Sequence, residues 1–141
     1  MTSAAQRAEE MRLRYLTEAI ETSTPASRLT MLLDALEMDL ARADRAFAER
    51  CEPKAVSDLL IHAQDIILAL RDTLDTSTWE PAERLGALYD HLYTELVGAN
   101  LDKDRLRAAA VASHVAELAN AWRKAAQSVE KTTVEADGVR R

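Results

Sequence analysis

Three histidines, one cysteine and three glycines are the residues of this chain whose placement decides what chemistry is within reach. A carboxylate-bridged metal pair inside a helical bundle needs Glu-x-x-His from each of two helices. The residues three before His62, His91 and His114 are Leu59, Leu88 and Val111, so that pattern is absent. His114 with Glu117 makes one pair a turn apart, which reads as a surface or half-buried pair. His62 reads as the edge of an apolar stripe, hydrogen-bonded locally. A nucleophilic cysteine needs neighbouring positive charge and a base. Cys51 has Arg50 beside it, but Glu52 opposes the thiolate and no histidine is close in sequence. It reads as an incidental thiol, and a single cysteine forms no internal disulfide, as in cytosolic proteins. Gly86, Gly98 and Gly138 are isolated, so no phosphate-cradling loop is present, nor is there a G-x-S-x-G turn. The expectation is a non-enzyme with no metal and no cofactor.

The composition sets the frame in which these residues sit. The chain has 141 residues, 48% hydrophobic and 30% charged, with only 3 Gly and 3 Pro. That suits one folded domain with few turns and therefore long helices. A net charge of −6 argues against a nucleic-acid partner or an anionic membrane surface. The longest run free of Asp, Glu, Lys and Arg is the nine residues Ala108 to Ala116. A bilayer span takes about 20 apolar residues, so no membrane insertion is expected. The start of the chain is charged throughout and lacks the apolar region of a secretory signal, so the chain reads as cytoplasmic.

The punctuation predicts five helices: about Ala4 to Glu21, Pro25 to Arg50, Pro53 to Leu74, Pro81 to Ala99, and Lys103 to Ser128. Thr24-Pro25 supplies an N-cap and a proline at the first helical position, where the missing N–H is no loss. Asn100 is placed as a left-handed C-cap, and Asp102 as the cap of the fifth helix. Apolar residues recur at helical spacing. The second helix has Leu29, Leu32, Leu36, Leu40, Ala43 and Phe47, and the third Val56, Leu59, Leu60, Ala63, Ile66, Ile67, Leu70 and Leu74. The fourth has Leu85, Leu88, Leu92 and Leu96 beside Tyr89 and Tyr93, and the fifth Leu106, Ala110, Val115, Leu118, Trp122 and Ala125. Short links between long helices predict an all-α, antiparallel up-down bundle of four long helices plus a shorter N-terminal helix docked on it. Residues 1–128 form the domain, with 1–23 a sparsely apolar, detachable segment. Residues 129–141 read as a flexible tail.

The remaining residues carry two readings each. Leu32-Leu33, Leu59-Leu60 and Ile66-Ile67 set adjacent side chains about 100° apart. They form either a wide core face or a core with apolar residues left over for a groove. The charged face Glu37, Asp39, Arg42, Asp44 and Arg45 reads as solvated helix surface. Phe47, Tyr89 and Trp122 read as core, and Trp79 as a residue packing back near Pro81.

Several strings resemble the FliS family of flagellin export chaperones. They run from Tyr15-Leu16 ahead of Thr24-Pro25, through Arg28-Leu29-Thr30-Met31-Leu32-Leu33-Asp34 and Ala41-Arg42-Ala43, to His62-Ala63-Gln64-Asp65-Ile66-Ile67. Leu70-Arg71, Leu74-Asp75, Trp79, Leu88-Tyr89, Leu96-Val97, Ala99-Asn100 and Trp122 follow in order. The likeness spans about Arg14 to Ala126, and the chain departs from it at Leu33, where the family usually has Tyr, and at Ala35, often Gly. The resemblance implies a cytosolic bundle that binds the C-terminal segment of flagellin in an apolar groove. It implies further that the bundle prevents premature polymerisation and delivers the client to export-gate components. Tyr15 would belong to the N-terminal cover, with Leu29, Leu33, Leu92, Leu96 and Asn100 lining the groove or its rim. A homodimer covering the empty groove is an open alternative to self-cover. So is a generic helical adaptor with a different client helix.

Overall fold

The computed structural model of the chain describes the backbone at residues 3–22, 25–74 and 80–139, and the side chains at 3–14, 25–74 and 82–128. The expected cap at Thr24 and the packing of Trp79 lie outside the described residues. Five helices follow in order: α1 (Ala4–Thr22), α2 (Pro25–Ala48), α3 (Pro53–Asp72), α4 (Glu80–Asp102) and α5 (Arg105–Val139). No strand occurs among the described residues.

Local chemistry explains the helix ends. Pro53 opens α3 at a position where no N–H is needed, behind an extended Glu52 (φ −56°, ψ 146°). Helix α2 closes through Arg50 in the left-handed region (φ 53°), with Cys51 N–H donating to Ala46 O and Arg50 N–H to Phe47 O. Helix α4 closes in the same way through Lys103 (φ 49°), with Asp104 N–H donating to Ala99 O. This is the Schellman arrangement, built twice at one end of the bundle on residues that carry a Cβ. Asn100 is therefore not the left-handed cap. Its Nδ2 donates to Ser57 Oγ at 3.1 Å and its Oδ1 accepts from Lys103 Nζ at 2.7 Å, so α4 runs on to Asp102. The cap of α5 is Asp104 rather than Asp102, since its Oδ1 accepts the Arg107 N–H at 3.1 Å. Helix α5 continues to Val139, past the expected end at Ser128. Residues 129–137 contain neither Gly nor Pro, so nothing in their propensities stops it.

Cross-helix contacts fix the directions. Arg105 meets Asp44, while Trp122 Nε1 donates to Thr30 Oγ1 and Arg123 reaches Asp34, so α5 runs antiparallel to α2. Arg71 pairs with Asp90 and Ser57 with Asn100, so α3 and α4 are antiparallel too. Helices α2 and α3 pack together, as do α3 and α4, α4 and α5, and α5 and α2, closing a four-helix ring. Arg107 ties the α4–α5 corner through both oxygens of Glu95, and Gly98 leaves the space its guanidinium fills.

The interior is aliphatic. Leu33, Leu36, Leu40, Leu60, Ile67, Leu70, Leu92, Leu96, Val111 and Val115 are all 3% exposed or less, together with Tyr89. Burying such a side chain contributes about 1.5–3 kcal/mol, so this ring stands on its own core. Both members of the pairs Leu32-Leu33 and Ile66-Ile67 are buried, and Leu59 packs against the core beside Leu60. The wide-core-face reading of these pairs is the right one. On α5 the buried face is Ala108, Val111, Val115 and Ala119, with Leu118 and Trp122 packed against it; of the expected stripe, Leu106, Ala110 and Ala125 are exposed. Leu106 is 82% exposed, because the inward stripe takes the small residues that let α5 approach α2 and α4.

Helix α1 stands outside this ring. Among the described residues it packs on α2 alone, with Met11 71% and Leu13 46% exposed. Its ion pair, Glu9 to Arg42 at 3.8 Å, joins two half-exposed side chains and contributes no more than ~1 kcal/mol. Removing residues 1–23 is therefore expected to leave a cooperative helical bundle, which circular dichroism of the truncated chain checks. Alkali probes the core independently. Burial pushes the Tyr89 hydroxyl up to about 12 from 10.0. The neutral phenol favours the fold, so this contribution is whole below pH 10.0 and is lost as pH rises through about 12. Stability should fall over that interval by an extra ~2–3 kcal/mol, and Tyr89→Phe should remove that part of the slope in alkaline denaturant titrations.

Candidate functional site

Among the described residues α1 rests on α2 alone, and a cleft of about 190 Å3 remains between α1 and the α2–α3 pair. Glu9, Arg12 and Leu13 form its roof, Met31, Ala35 and Met38 its apolar wall, and Asp34, Asp39, Arg42 and His62 its polar parts. Positions 31, 34, 35, 38, 39 and 42 share one face of α2 by the three-four spacing of a helix. Wall and charges are thus carried on a single rigid element, with His62 brought in from α3. Methionine suits a surface that must accept more than one shape, being unbranched and polarizable. Met38 is 43% exposed even with α1 in place, and Arg12 Nη2 donates to its sulfur.

Asp39 is the unusual member. It is 5% exposed, although the sequence placed it on a solvated face. Its Oδ2 is hydrogen-bonded to His62 Nδ1, whose ring stands half in solvent. Burial raises the Asp39 pKa above its ordinary 3.8, and the His62 hydrogen bond, the His62 charge, Arg42 and Arg12 only partly offset it. The neighbouring charges of that face are not free surface either. Asp44 is bidentate to Arg105, and Glu37 shares Arg123 with Asp34. His62 makes its bond across helices rather than locally. The signal that would have found this site is Asp39 itself, a carboxylate one residue from Leu40 and three from Leu36, at the edge of an apolar stripe.

The residues proposed from sequence fall in different places. Leu33, Leu92 and Leu96 are 2%, 1% and 0% exposed: they are core side chains of the isolated chain, not walls of an open groove. The reason is the ring itself, since both helices turn those positions inward. Leu29 is partly buried against the same core, and Asn100 is half-buried at the far end against Ser57. Tyr15 lies in α1, its side chain outside the described residues. The structure therefore does not bring the six together. It gathers instead the α2 face behind which Leu33 packs. Among the described residues no group of three or more His, Cys, Asp or Glu is placed to hold a metal ion. His114 and Glu117 are exposed, as is Cys51. No described helix is long and apolar enough to cross a membrane.

The raised Asp39 pKa carries a sign. A carboxyl whose folded pKa is raised contributes stability below its ordinary value, 3.8, and loses it as pH climbs through the raised value. Ionised Asp39 therefore works against the fold at neutral pH. Asp39→Asn, which keeps a hydrogen-bonding group for His62, should melt at or up to ~3 °C above the parent at pH 7. That advantage should shrink as pH is lowered towards 3.8. Thermal scans across that range check it.

Comparison with known proteins places the chain. The family profile described as "Flagellar protein FliS" matches residues 7–129, most of the chain and the bundle ring as far as residue 129 of α5. A Bacillus subtilis protein named "Flagellar secretion chaperone FliS" is 32% identical over 117 residues, covering 83% of this chain and 86% of the relative. The matched stretch holds the α2 face, His62 and the roof residues Glu9, Arg12 and Leu13. By these matches, and with a helical bundle of the expected kind, the chain belongs to the FliS family of flagellar proteins.

Proposed function

We propose that the chain is a cytoplasmic flagellar secretion chaperone, not an enzyme, whose client is the C-terminal segment of flagellin. The client segment lies as an amphipathic helix in the cleft on α2 and α3. Its apolar stripe is kept there from other copies of itself until delivery to the export gate. One observation carries this reading: a self-sufficient four-helix core with a weakly held fifth helix roofing an apolar, methionine-walled cleft. Helix-in-groove binding needs such a surface, available once a cheap cover is moved. Kinship with a protein named as a secretion chaperone supports the client class.

In this reading Met31, Ala35 and Met38 meet the client's stripe. The helix that carries Tyr15 is the cover, while Leu29 and Asn100 lie outside the cleft lining. Leu33, Leu92 and Leu96 act from behind, fixing the helices that carry the wall. An aspartate at Leu33 would bury an unpaired carboxylate and lower stability, so it says little about binding. Met38 is the better probe, exposed enough for Glu to be tolerated. Met38→Glu should weaken binding of the flagellin C-terminal segment by tenfold or more, about 1.4 kcal/mol, with little change in melting temperature. Leu101→Glu, 79% exposed at the α4–α5 turn, should leave affinity unchanged. Isothermal titration calorimetry distinguishes the two; equal effects, or none, would remove the cleft from the reading.

A further inference from the structure

The cleft is not uniformly apolar. Its floor holds a carboxylate, and the groups around that carboxylate say what must come to meet it. Facing Asp39 are His62 from α3, Arg42 one turn along α2, and Arg12 from α1. Arg12 acts on it only through its field, since its own contacts go to Met38 Sδ and to Glu9 at 3.9 Å. Arg42 in turn reaches Glu9 at 3.8 Å. The roof thus presents an acid to Arg42, a cation three residues later towards Asp39, and then apolar Leu13, and it runs antiparallel to α2.

Resting on the function proposed above, we propose that Asp39 and Arg42 form a charge reader that selects the client helix and sets its register. The occupant is an amphipathic helix of the flagellar client. It carries Lys or Arg within its apolar stripe to meet Asp39, and an acid one turn earlier to meet Arg42. Charge complementarity is the warrant. A buried anion against methionine and alanine walls gains most from a partner that arrives with its own cation and excludes water. A helix offset by one residue turns that cation about 100° away and leaves the buried anion with His62 as its direct partner. The acidic net charge of the chain steers a basic segment towards the cleft without choosing its register, and Asp39 makes that choice. Burial outweighs what His62, Arg42 and Arg12 return to Asp39, which fits a group that gains a further cation from outside.

The test uses the full chain and the flagellin C-terminal segment of the same organism, with each basic residue of that segment changed in turn to Met. Asp39→Asn should weaken the unaltered segment about tenfold or more while the melting temperature holds or rises, which separates lost recognition from lost fold. One Lys or Arg of the segment should show the same loss on the parent chain and no further loss on Asp39→Asn. Leu101→Glu, outside the cleft, should leave both behaviours intact. Unchanged affinity on Asp39→Asn, or a loss that every basic residue shares equally, would overturn the charge reader while leaving the groove in place. Failure of the parent chain to bind the segment at all would remove the groove and the reader together.

Discussion

Closure of the α2–α5 ring around its own aliphatic core is the constraint from which the rest follows. Tyr89, Leu36, Leu60, Ile67, Leu70, Leu92 and Leu96 fill the centre so completely that no further element is needed to seal it. Had the ring been one helix short, α1 would have been obligatory and buried on a wide face. With the ring complete, α1 packs, among the described residues, on the outer side of α2 alone, and there it exposes Met11 and much of Leu13. A helix whose described apolar side chains are exposed and whose ion pair is screened sits at the low end of the local stability scale. Such an element can move without disturbing the core.

The same closure decides where a client has room. The interior is full, so binding energy must come from the outer faces, and the α2 face beneath α1 offers methionine, alanine and a buried charge together. The surface around the core is laced with cross-helix pairs, Asp44 with Arg105, Glu37 and Asp34 with Arg123, and Glu95 with Arg107. Each adds little alone, but they occupy the α2–α5 and α4–α5 seams with charge already matched. The α1 side of α2 is the seam where a carboxylate is sunk, bonded to a half-exposed histidine and with its arginines acting only through their field.

Much of this was legible from residue order. The apolar spacing of α2, α3 and α4 and the prolines at Pro25 and Pro53 defined the ring and its turns, and the sparse face of the first helix marked it as peripheral. The strings around Arg28 to Asp34 and His62 to Ile67 carried the family. What escaped has identifiable causes. Alanine reads as neutral, so Leu106 and Ala110 drew the start of the α5 stripe away from Ala108 and Val111, while Val115, Leu118 and Trp122 do face the core. An asparagine before a turn resembles a cap, but Asn100 spends its side chain on Ser57 and Lys103, and a lysine takes the left-handed position instead. Leu33, Leu92 and Leu96 look the same in sequence whether they face in or out. Asp39 sits among charged neighbours, so only the packing of α1 and α3 reveals that it is buried.

A direct measurement of the central claim is amide hydrogen exchange of the full chain with and without the flagellin C-terminal segment. The account predicts that α1 amides at residues 4–14 exchange orders of magnitude faster than those of α3 and α4 in the free chain. On adding the segment they should lose what protection they have, while α2 amides around Met31 to Arg42 slow. Contradiction would be α1 exchanging as slowly as the core in the free chain, or staying equally protected with the client bound.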